Sequence, residues 1–429
     1  MKSSEPTPQL WDIKTSKSGW FTATGSRFYG ADLPRVFGLF NDPASWPVEA
    51  PQRLIKTETN LRLGYSFENL SRVEIGFEAI RPGLYRVTVE HEHLHNRQEL
   101  DWALNYWDQV LQSVFSRLLC QPVVAATAYG KINMFFKVGP LLENGYHQVA
   151  SLYQSVNLAE TVVVELDSDW SVSAAGPIGE DHLAAVPTDA SNLVVKAAKA
   201  LAKAAGIKRP LPLRFSLHKT VPVAGGMGGG SADAAAALLA VEKAWQLELS
   251  RDVKWNAAAS LGADVPFALM GGSARGLGIG DELQAIPQKS QLHWVLVPND
   301  FGLSTPSVFA ELDRLRSERR QDPKTVKPAS MSGKLATALR AGASAEEIAP
   351  LLHNDLQEAA VSLKPELQKI LDLEQQVFAL KAIVSGSGPT VAMLARDAND
   401  AITIASRLRT YGQQAIVTSS PAGAAQLVH

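Results

Sequence analysis

A cluster of glycines at residues 225–230 is the part of the sequence best suited to chemistry, because five of its six positions are glycine. A predicted strand, 211–217, comes before it, and a predicted alanine-rich helix, 231–245, follows it. Glycine lets the backbone approach a ligand closely, and a helix start offers free N–H groups and partial positive charge. We therefore predict an anion site, most simply for phosphate; a packed turn without a ligand is the alternative. The segment lacks the ending of a P-loop and fits a dinucleotide-binding fingerprint poorly.

A second glycine turn, at residues 385–390, contains Gly386, Ser387 and Gly388 and follows a predicted strand, 382–384. By itself this pattern favours a structural turn. Two glycine loops that each follow a strand suggest two walls of one anion pocket. Because the loops are far apart in sequence, we expect two subdomains to meet there.

Two charged residues are candidates for proton transfer and charge stabilisation. Asp264 lies between a predicted helix, 255–261, and an apolar segment, a setting that can hold a base. A capping or turn aspartate is the commoner interpretation of such a position. Lys131 is a lone charge at the end of a predicted apolar strand, and lone lysines are usually solvated. Neither residue predicts a site on its own.

Length and composition bound the class of protein. At 429 residues the chain should hold two or three domains, and its 46% of apolar residues is ordinary for a globular protein. The 41 basic and 43 acidic residues leave a net charge of -2, so we expect no nucleic-acid partner. The single cysteine, Cys120, suits a reducing compartment. A polar start and no apolar run of roughly 18 residues predict a cytoplasmic protein without a membrane segment.

Five of the nine tryptophans fall in the first 120 residues, which indicates a separate N-terminal module. Two alternating apolar runs between residues 71 and 89 predict an antiparallel hairpin, and apolar positions at helical spacing predict a helix at 99–119 that packs on it. Beyond residue 122, predicted strands and helices alternate, with helices at 191–205, 231–245 and 255–261 and a loop at 321–334. This alternation indicates an α/β arrangement.

Five motifs in one order resemble the GHMP kinase superfamily over about residues 122–424. They are Gly130-Lys131-Ile132-Asn133, Asn144-Gly145-Tyr146-His147, the loop 222–233, Leu261-Gly262-Ala263-Asp264-Val265-Pro266 and Ser385-Gly386-Ser387-Gly388-Pro389. The resemblance implies an α+β, two-lobed GHMP kinase fold, with a ribosomal S5-like ATP-binding lobe at 121–288 and a ferredoxin-like lobe at 289–429. The Gly-Tyr-His element and the form of the loop are similar to one branch. Its members use ATP to phosphorylate the 2-hydroxyl of a cytidine diphosphate-linked methylerythritol in the non-mevalonate isoprenoid pathway.

The resemblance also implies a role for each candidate residue. Asp264 would accept the proton of the substrate hydroxyl, and Lys131 would orient that pair and offset negative charge. Mg2+ would accompany ATP, with protein ligands that the sequence does not identify. The implied ATP-binding residues are Pro222, Val223, Ala224, Gly225, Gly226, Met227, Gly228, Gly229, Gly230, Ser231 and Ala232, with Asn192 on the nucleotide side. The implied substrate-binding residues are Tyr146, His147 and Phe309 around the cytidine base, and Asn133 and Thr305 near the rest of the molecule.

The first 120 residues resemble a different family, the START-like (SRPBCC) helix-grip fold. The resemblance is carried by segments 34–46, 73–77 and 87–91 and by the helix with Trp102 and Trp107, although few strands are predicted between residues 46 and 61. It implies a small α+β domain with an apolar cavity, so the implied partner is a small hydrophobic ligand or a protein. Three histidines alternate along one predicted strand and leave a metal site open as a minor alternative: His91, His93 and His95.

Two other functions remain open. A GHMP kinase for another small alcohol, of the mevalonate or homoserine type, would not need aromatic residues such as Tyr146 and Phe309 beside His147. A non-catalytic ligand-binding protein that acts through the N-terminal module would not need both Asp264 and Lys131. The sequence therefore favours the kinase with a cytidine-linked substrate.

Overall fold

The computed structural model describes residues 11–29, 33–81, 84–118, 123–167, 169–208, 210–223 and 225–428. These residues form three sheets, of six, eight and four strands. Cys120, Ala224 and the turn of the predicted N-terminal hairpin lie outside the described residues. Among the described helices, none combines the length and the apolar character that crossing a bilayer requires.

The N-terminal domain is a six-stranded antiparallel sheet with two helices, and its strand order is β1-β2-β6-β5-β4-β3. Its elements are β1 (Trp11–Thr15), β2 (Phe21–Tyr29), α1 (Leu33–Phe40), β3 (Arg53–Glu58), β4 (Arg62–Ser66), β5 (Arg72–Arg81), β6 (Leu84–Leu94) and α2 (Arg97–Leu118). The predicted hairpin is β5 and β6, where Ile75 pairs with Val89 and Phe77 with Val87. Because alternate residues of a strand share one face, all four side chains are buried together.

The helix predicted at 99–119 is α2, which contributes Tyr106, Val110 and Val114 to the core of this domain. Trp102, predicted on the same buried face, is 41% exposed, because its ring lies at the rim beside that of Tyr106, with centroids 5.2 Å apart. β3 occupies the region where few strands are predicted, and all its residues are exposed, so no apolar alternation marks it. The sheet and its long helix form the small α+β domain that was expected, while its kinship to START-like proteins stays a prediction.

The three alternating histidines do not gather around a metal site. His91 is buried, with Nε2 2.8 Å from the Ser71 hydroxyl, and Trp107 donates a hydrogen bond of 2.9 Å to its Nδ1. Burial lowers the pKa of His91 to about 3, so the ring is neutral. His95 instead pairs with Glu99 at 3.2 Å. The described residues contain no group of three His, Cys, Asp or Glu side chains that could hold a metal ion.

The eight-stranded sheet and the helices on it form the first lobe of the C-terminal region. Its elements are β7 (Val124–Leu141), β8 (His147–Leu166), β9 (Ser171–Ala175), α3 (Glu180–Ala184), α4 (Leu193–Ala204), β10 (Leu213–His218), α5 (Gly229–Ala244), α6 (Arg251–Ala259), α7 (Asp264–Met270), β11 (Ser273–Leu277) and β12 (Glu282–Ala285). β7 and β8 form a long antiparallel hairpin. Lys131, predicted at the end of a short strand, therefore lies in the middle of a strand of 18 residues.

A four-stranded antiparallel sheet, in the order β15-β16-β13-β17, forms the second lobe with its helices. The remaining elements are β13 (Leu292–Val297), α8 (Thr305–Glu318), α9 (Gly333–Ala341), α10 (Ala345–Ile348), β14 (His353–Asn354), α11 (Gln357–Leu363), α12 (Glu366–Val377), β15 (Lys381–Val384), β16 (Val391–Ala395), α13 (Ala398–Thr410), β17 (Ile416–Ser420) and β18 (Gln426–Val428). The predicted loop at 321–334 is mostly irregular and ends where α9 begins.

Two segments from beyond residue 288 return to the sheet of the first lobe. β14 pairs in parallel with β7, and β18 pairs antiparallel with the same strand, with Leu427 opposite Ala126. They satisfy backbone groups along the edge of β7 that faces away from β8. The boundary predicted between residues 288 and 289 therefore divides the chain in sequence but does not separate the two sheets cleanly.

Candidate active site

Lys131 and Asp264, far apart in sequence, meet in a cleft. Nζ of Lys131, on β7, lies 3.5 Å from Oδ2 of Asp264, in the first turn of α7. The same ammonium donates a hydrogen bond of 3.0 Å to the side-chain oxygen of Asn133. Lys131 and Asn133 share one face of the strand because they are two residues apart. The arrangement offers a carboxylate that can accept a proton and a cation held beside it.

The glycine loop begins α5 next to this pair. Gly228, directly before the helix, has a left-handed backbone with φ of +70°, and a Cβ there would lie 3.2 Å from Cγ of Lys131 and 3.9 Å from Oδ2 of Asp264. The first N–H groups of an α-helix have no partner within the helix. They and the positive end of the helix dipole make this junction favourable for an anion.

A cavity of about 330 Å³ opens along the glycine loop. From the predicted ATP-binding set it is lined by Pro222, Val223, Gly225, Gly226, Met227, Gly228, Gly229, Gly230, Ser231 and Asn192. Ala232 is fully buried inside α5 and does not line this cavity, so its role as an ATP-binding residue stays a prediction. The amide of Asn192 already caps α4 by accepting a hydrogen bond of 3.0 Å from the backbone N–H of Val194.

A second cavity, of about 560 Å³, is lined by both Lys131 and Asp264. All the predicted substrate-binding residues line it: Asn133, Tyr146, His147, Thr305 and Phe309. The rings of His147 and Phe309 stack with centroids 5.1 Å apart, while Tyr146 projects from the hairpin turn and is 61% exposed. Ser231, in the first turn of α5, lines both cavities and so marks the place where they adjoin.

The second glycine loop borders the larger cavity rather than sharing one anion pocket with the first. Gly386 and Ser387 line the larger cavity, and the Ser387 hydroxyl lies 2.9 Å from that of Thr305. Gly388 does not line it; its carbonyl packs against Gly226 instead. The two loops therefore touch each other, as expected for two subdomains that meet, but each faces its own cavity.

Sequence reasoning missed the polar residues of β8 behind the catalytic candidates. The side-chain amide of Asn133 donates a hydrogen bond of 2.8 Å to the Ser151 hydroxyl. Tyr153 pairs with Asn133 across the sheet, its ring centroid lies 5.9 Å from Nζ of Lys131, and burial raises its pKa. These neighbours could have been predicted by pairing the residues of β7 with those of β8, starting from the turn at 144–145. The register is irregular between Asn133 and Phe135, however, so simple counting of residue pairs from the turn does not identify them.

A buried ionic cluster lies under the glycine loop. Nζ of Lys219 lies 2.8 Å from Glu160 and 2.5 Å from Asp233, and all three side chains are at most 5% exposed. Glu160 also accepts hydrogen bonds of 3.2 Å from the backbone N–H groups of Thr220 and Val221, just before the loop. Burial raises the pKa of Glu160 to about 7 and raises that of Asp233. Burial alone would lower the pKa of Lys219, but the two carboxylates outweigh it and raise that pKa.

The N-terminal domain has a groove of its own, of about 460 Å³. Phe67 and Trp102 line it together with polar side chains such as those of Asn69 and Glu99. Below it, the space between sheet and helix is filled by rings, since Trp46 contacts both Tyr65 and Trp107. The predicted small hydrophobic ligand or protein partner of this domain stays a prediction.

Comparisons with known proteins agree with this geometry. The family model of the GHMP kinases N terminal domain matches residues 192–272, and that of the GHMP kinases C terminal matches residues 335–414. A crystal structure of 4-(cytidine 5'-diphospho)-2C-methyl-D-erythritol kinase is 28% identical in sequence, with a TM-score of 0.55. The match covers 70% of this chain and 100% of that one.

Curated relatives narrow the assignment. The 4-diphosphocytidyl-2-C-methyl-D-erythritol kinase of Leifsonia xyli subsp. xyli is 44% identical over 71% of this chain and 98% of that protein. The kinase of the same name from Clavibacter michiganensis subsp. michiganensis is 46% identical over 71% of this chain and 96% of that protein. Fold, cavities and family models together define a small-molecule kinase of the GHMP class. Within that class, the chain belongs to the 4-diphosphocytidyl-2-C-methyl-D-erythritol kinase family.

Gly226→Ala is expected to destabilise the fold and to weaken ATP binding. The φ of Gly226 is +74°, and a Cβ there would lie only 2.6 Å from the carbonyl oxygen of Gly388. We expect the free energy of unfolding to fall by more than the roughly 1–2 kcal/mol that a left-handed backbone costs alanine. Because the loop must shift to relieve the contact, KM for ATP should rise roughly tenfold. Urea denaturation and steady-state kinetics measure the two effects.

Gly206→Ala is the matched control for this loop variant. Gly206 has nearly the same φ, +71°, but a Cβ there meets no atom within 4 Å. The Gly206→Ala variant should lower the free energy of unfolding through the left-handed backbone alone, and it should leave KM for ATP unchanged. Equal losses of stability in the two variants would contradict the close contact between the glycine loops.

Proposed function

We propose that this chain transfers the γ-phosphoryl group of ATP to the 2-hydroxyl of 4-diphosphocytidyl-2-C-methyl-D-erythritol. The observation that carries the proposal is the junction of the two cavities at Ser231. ATP along the glycine loop and an alcohol beside the Lys131–Asp264 pair would meet there. The names of the relatives at 44% and 46% identity support this substrate.

Phosphoryl transfer asks the protein mainly for positioning and for stabilisation of charge. In the proposed reaction, Asp264 accepts the proton of the attacking hydroxyl, and the hydroxyl oxygen bonds to the γ-phosphorus. The bond between that phosphorus and the bridging oxygen of ADP breaks, and ADP leaves. Lys131 keeps the carboxylate in place and offsets negative charge on the transferred group. The free N–H groups at the start of α5 bind phosphate oxygens.

The aromatic wall of the larger cavity supports an acceptor that carries a nucleobase. Tyr146 is exposed at the cavity, and Phe309 stacks on His147, so flat apolar surface lies beside a polar ring edge. Aromatic stacking binds any base, whereas hydrogen bonds to its edge select one. Mevalonate and homoserine have no ring to occupy such a wall, which favours the cytidine-linked substrate over both.

We further propose that Mg2+ binds together with ATP. Mg2+ takes oxygen ligands and is usually held by substrate phosphates and few protein groups. Ser231 suits this role, because it carries a hydroxyl oxygen and the residue lines both cavities at the start of α5. When bound, the ion would neutralise the β- and γ-phosphate oxygens.

We also infer that the reaction takes place in the cytoplasm. The single cysteine of the sequence suits a reducing compartment.

The decisive experiment measures ADP formation by the purified full chain with three acceptors in turn. These are 4-diphosphocytidyl-2-C-methyl-D-erythritol, mevalonate and homoserine, each with ATP and Mg2+. We expect turnover with the first alone, because only its base can use the aromatic wall. Phosphorus NMR of the product should show one new phosphate monoester on the methylerythritol.

Two results would overturn the proposal. Faster turnover of mevalonate or homoserine would assign the cavity to a small alcohol. Binding of ATP without turnover of any acceptor would favour a non-catalytic protein that acts through the N-terminal domain. The presence of both Lys131 and Asp264 argues against that second result.

A further inference from the structure

Asp313 holds the imidazole of His147, although no motif in the sequence singles Asp313 out. Nε2 of His147 lies 3.0 Å from Oδ1 of Asp313, which is on α8, one helical turn after Phe309. Phe309 stacks on the face of the same imidazole, with 27° between the ring planes. The His147 side chain is only 6% exposed, and all three residues line the larger cavity. Stacking on Phe309 therefore fixes the plane of the imidazole, and the contact with Asp313 fixes its Nε2 edge.

The carboxylate of Asp313 also decides where the imidazole carries its proton. An ionised carboxylate can only accept a hydrogen bond, so Nε2 of His147 must be the protonated nitrogen. In the neutral ring, Nδ1 is then left as a hydrogen-bond acceptor. Within the part of the chain that the structure describes, Nδ1 of His147 has no hydrogen-bond partner and is not enclosed by protein.

Cytosine and uracil differ at the group that such an acceptor would meet. Cytosine has an amino group at position 4, which donates hydrogen bonds, whereas the equivalent group of uracil-type bases is a carbonyl oxygen, which accepts them. The lone pair on Nδ1 would accept a hydrogen bond from the amino group of cytosine and would repel the carbonyl oxygen of a uracil-type base. A buried polar site built for one pattern rejects the other because its groups are left unpaired.

We propose that Asp313 is a specificity-determining positioning residue, which keeps the proton of His147 on Nε2 so that Nδ1 accepts a hydrogen bond from the 4-amino group of a cytidine nucleotide. The larger cavity thereby selects cytidine over uridine. This inference deepens the proposed function, since it takes the larger cavity to be the site of the nucleotide-linked acceptor.

The test compares the cytidine substrate with its uridine counterpart on the full chain and on Asp313→Asn. The amide of asparagine can donate to Nε2 of His147 as well as accept from it, so it no longer confines the ring proton to Nε2. We expect KM for the cytidine substrate to rise roughly tenfold and the preference for cytidine in kcat/KM to fall at least roughly tenfold. The effect should fall on KM of this substrate, with KM for ATP unchanged. Asp313→Glu keeps a carboxylate and should restore most of the preference.

Glu318→Gln is the matched control on the same helix. Glu318 is 61% exposed and pairs with Arg314 at the surface, outside both cavities. It should leave the kinetics with either nucleotide unchanged. Urea denaturation of each variant separates a loss of selectivity from a loss of fold.

Nitrogen-15 spectra of the histidine-labelled chain report the tautomer directly. We expect His147 to be protonated at Nε2 in the unchanged chain and at Nδ1, or at a mixture of both, in Asp313→Asn. A folded Asp313→Asn protein that keeps both the tautomer and the preference for cytidine would overturn this inference and leave the proposed function intact. Failure of the unchanged chain to phosphorylate the cytidine substrate would overturn the proposed function and this inference with it.

Discussion

The Asp264→Asn variant is expected to lose about 10²- to 10⁴-fold in kcat while its KM for ATP changes little. Asparagine has nearly the same size as aspartate and can still lie beside Nζ of Lys131, which is 3.5 Å from the carboxylate. Its amide cannot take up the proton of the acceptor hydroxyl. The hydroxyl must then attack without a base, so the loss appears in the chemical step. ADP formation at saturating concentrations of both substrates measures kcat.

Asp252→Asn is the matched control for this variant. Asp252 lies in the first turn of α6, is exposed, and lines neither cavity. Its kcat should equal that of the unchanged chain. If Asp264→Asn kept more than about a tenth of kcat, a loss below the usual range for a general base, another group would have to accept the proton.

The Lys219→Met variant is expected to lose about 3–5 kcal/mol in free energy of unfolding near neutral pH. Methionine has a similar length but removes the cation that lies 2.8 Å from Glu160 and 2.5 Å from Asp233. Two buried carboxyl groups then face each other without a counter-charge. Because Glu160 also holds the backbone of Thr220 and Val221, the damage should extend to the glycine loop. Urea denaturation measures the loss.

The loss in Lys219→Met should grow as the pH rises. Burial already raises the pKa of Glu160 from 4.5 to about 7, so the folded chain binds more protons than the unfolded chain in that interval. The contribution of such a group to stability falls as pH rises through this interval. Without the Lys219 cation, the pKa values of the two buried carboxyl groups rise further. The pH range over which the folded chain binds more protons than the unfolded chain therefore widens. The variant should therefore lose more stability at about pH 8 than at about pH 5.

Lys199→Met controls for the substitution itself. Lys199 lies on α4 and is exposed, so methionine there should change the free energy of unfolding by less than about 0.5 kcal/mol. A Lys219→Met protein that unfolded at the urea concentration of the unchanged chain, at both pH values, would show that the buried cluster adds nothing to stability.

The features that the sequence predicted correctly are those set by local chemistry. The alternation of apolar residues at 73–77 and 85–89 fixes the β5–β6 hairpin, and Asn192 marks the start of α4 because its side chain caps that helix. The predicted helix at 231–245 exists as α5, which begins at Gly229. The meeting of Lys131 with Asp264 came from the resemblance to a family, since nothing local in the sequence brings them together.

The features that the sequence did not predict depend on long-range pairing. Lys219 lies just before the glycine loop, and its partner Glu160 is on β8; the separation of 59 residues gives no local signal. Asp313 contacts His147 across 166 residues and belongs to the other lobe. β3 has no buried face, so its residues lack the alternation that marks a strand. In each case the role of the residue or strand depends on what it contacts in the fold, and the local sequence does not identify that contact.

The return of β18 to β7 has a consequence for the order of events on the ribosome. Every strand of the N-terminal sheet lies within residues 11–94, so that domain has all its strands while the rest of the chain is still being translated. β7, which carries Lys131, is not fully paired until residues 426–428 form β18. These residues are translated after the whole second lobe. Because domains fold as their partners emerge, the strand that carries the lysine is among the last parts of the molecule to be completed. A chain released before residue 426 would present a finished N-terminal domain joined to a kinase with an open sheet edge.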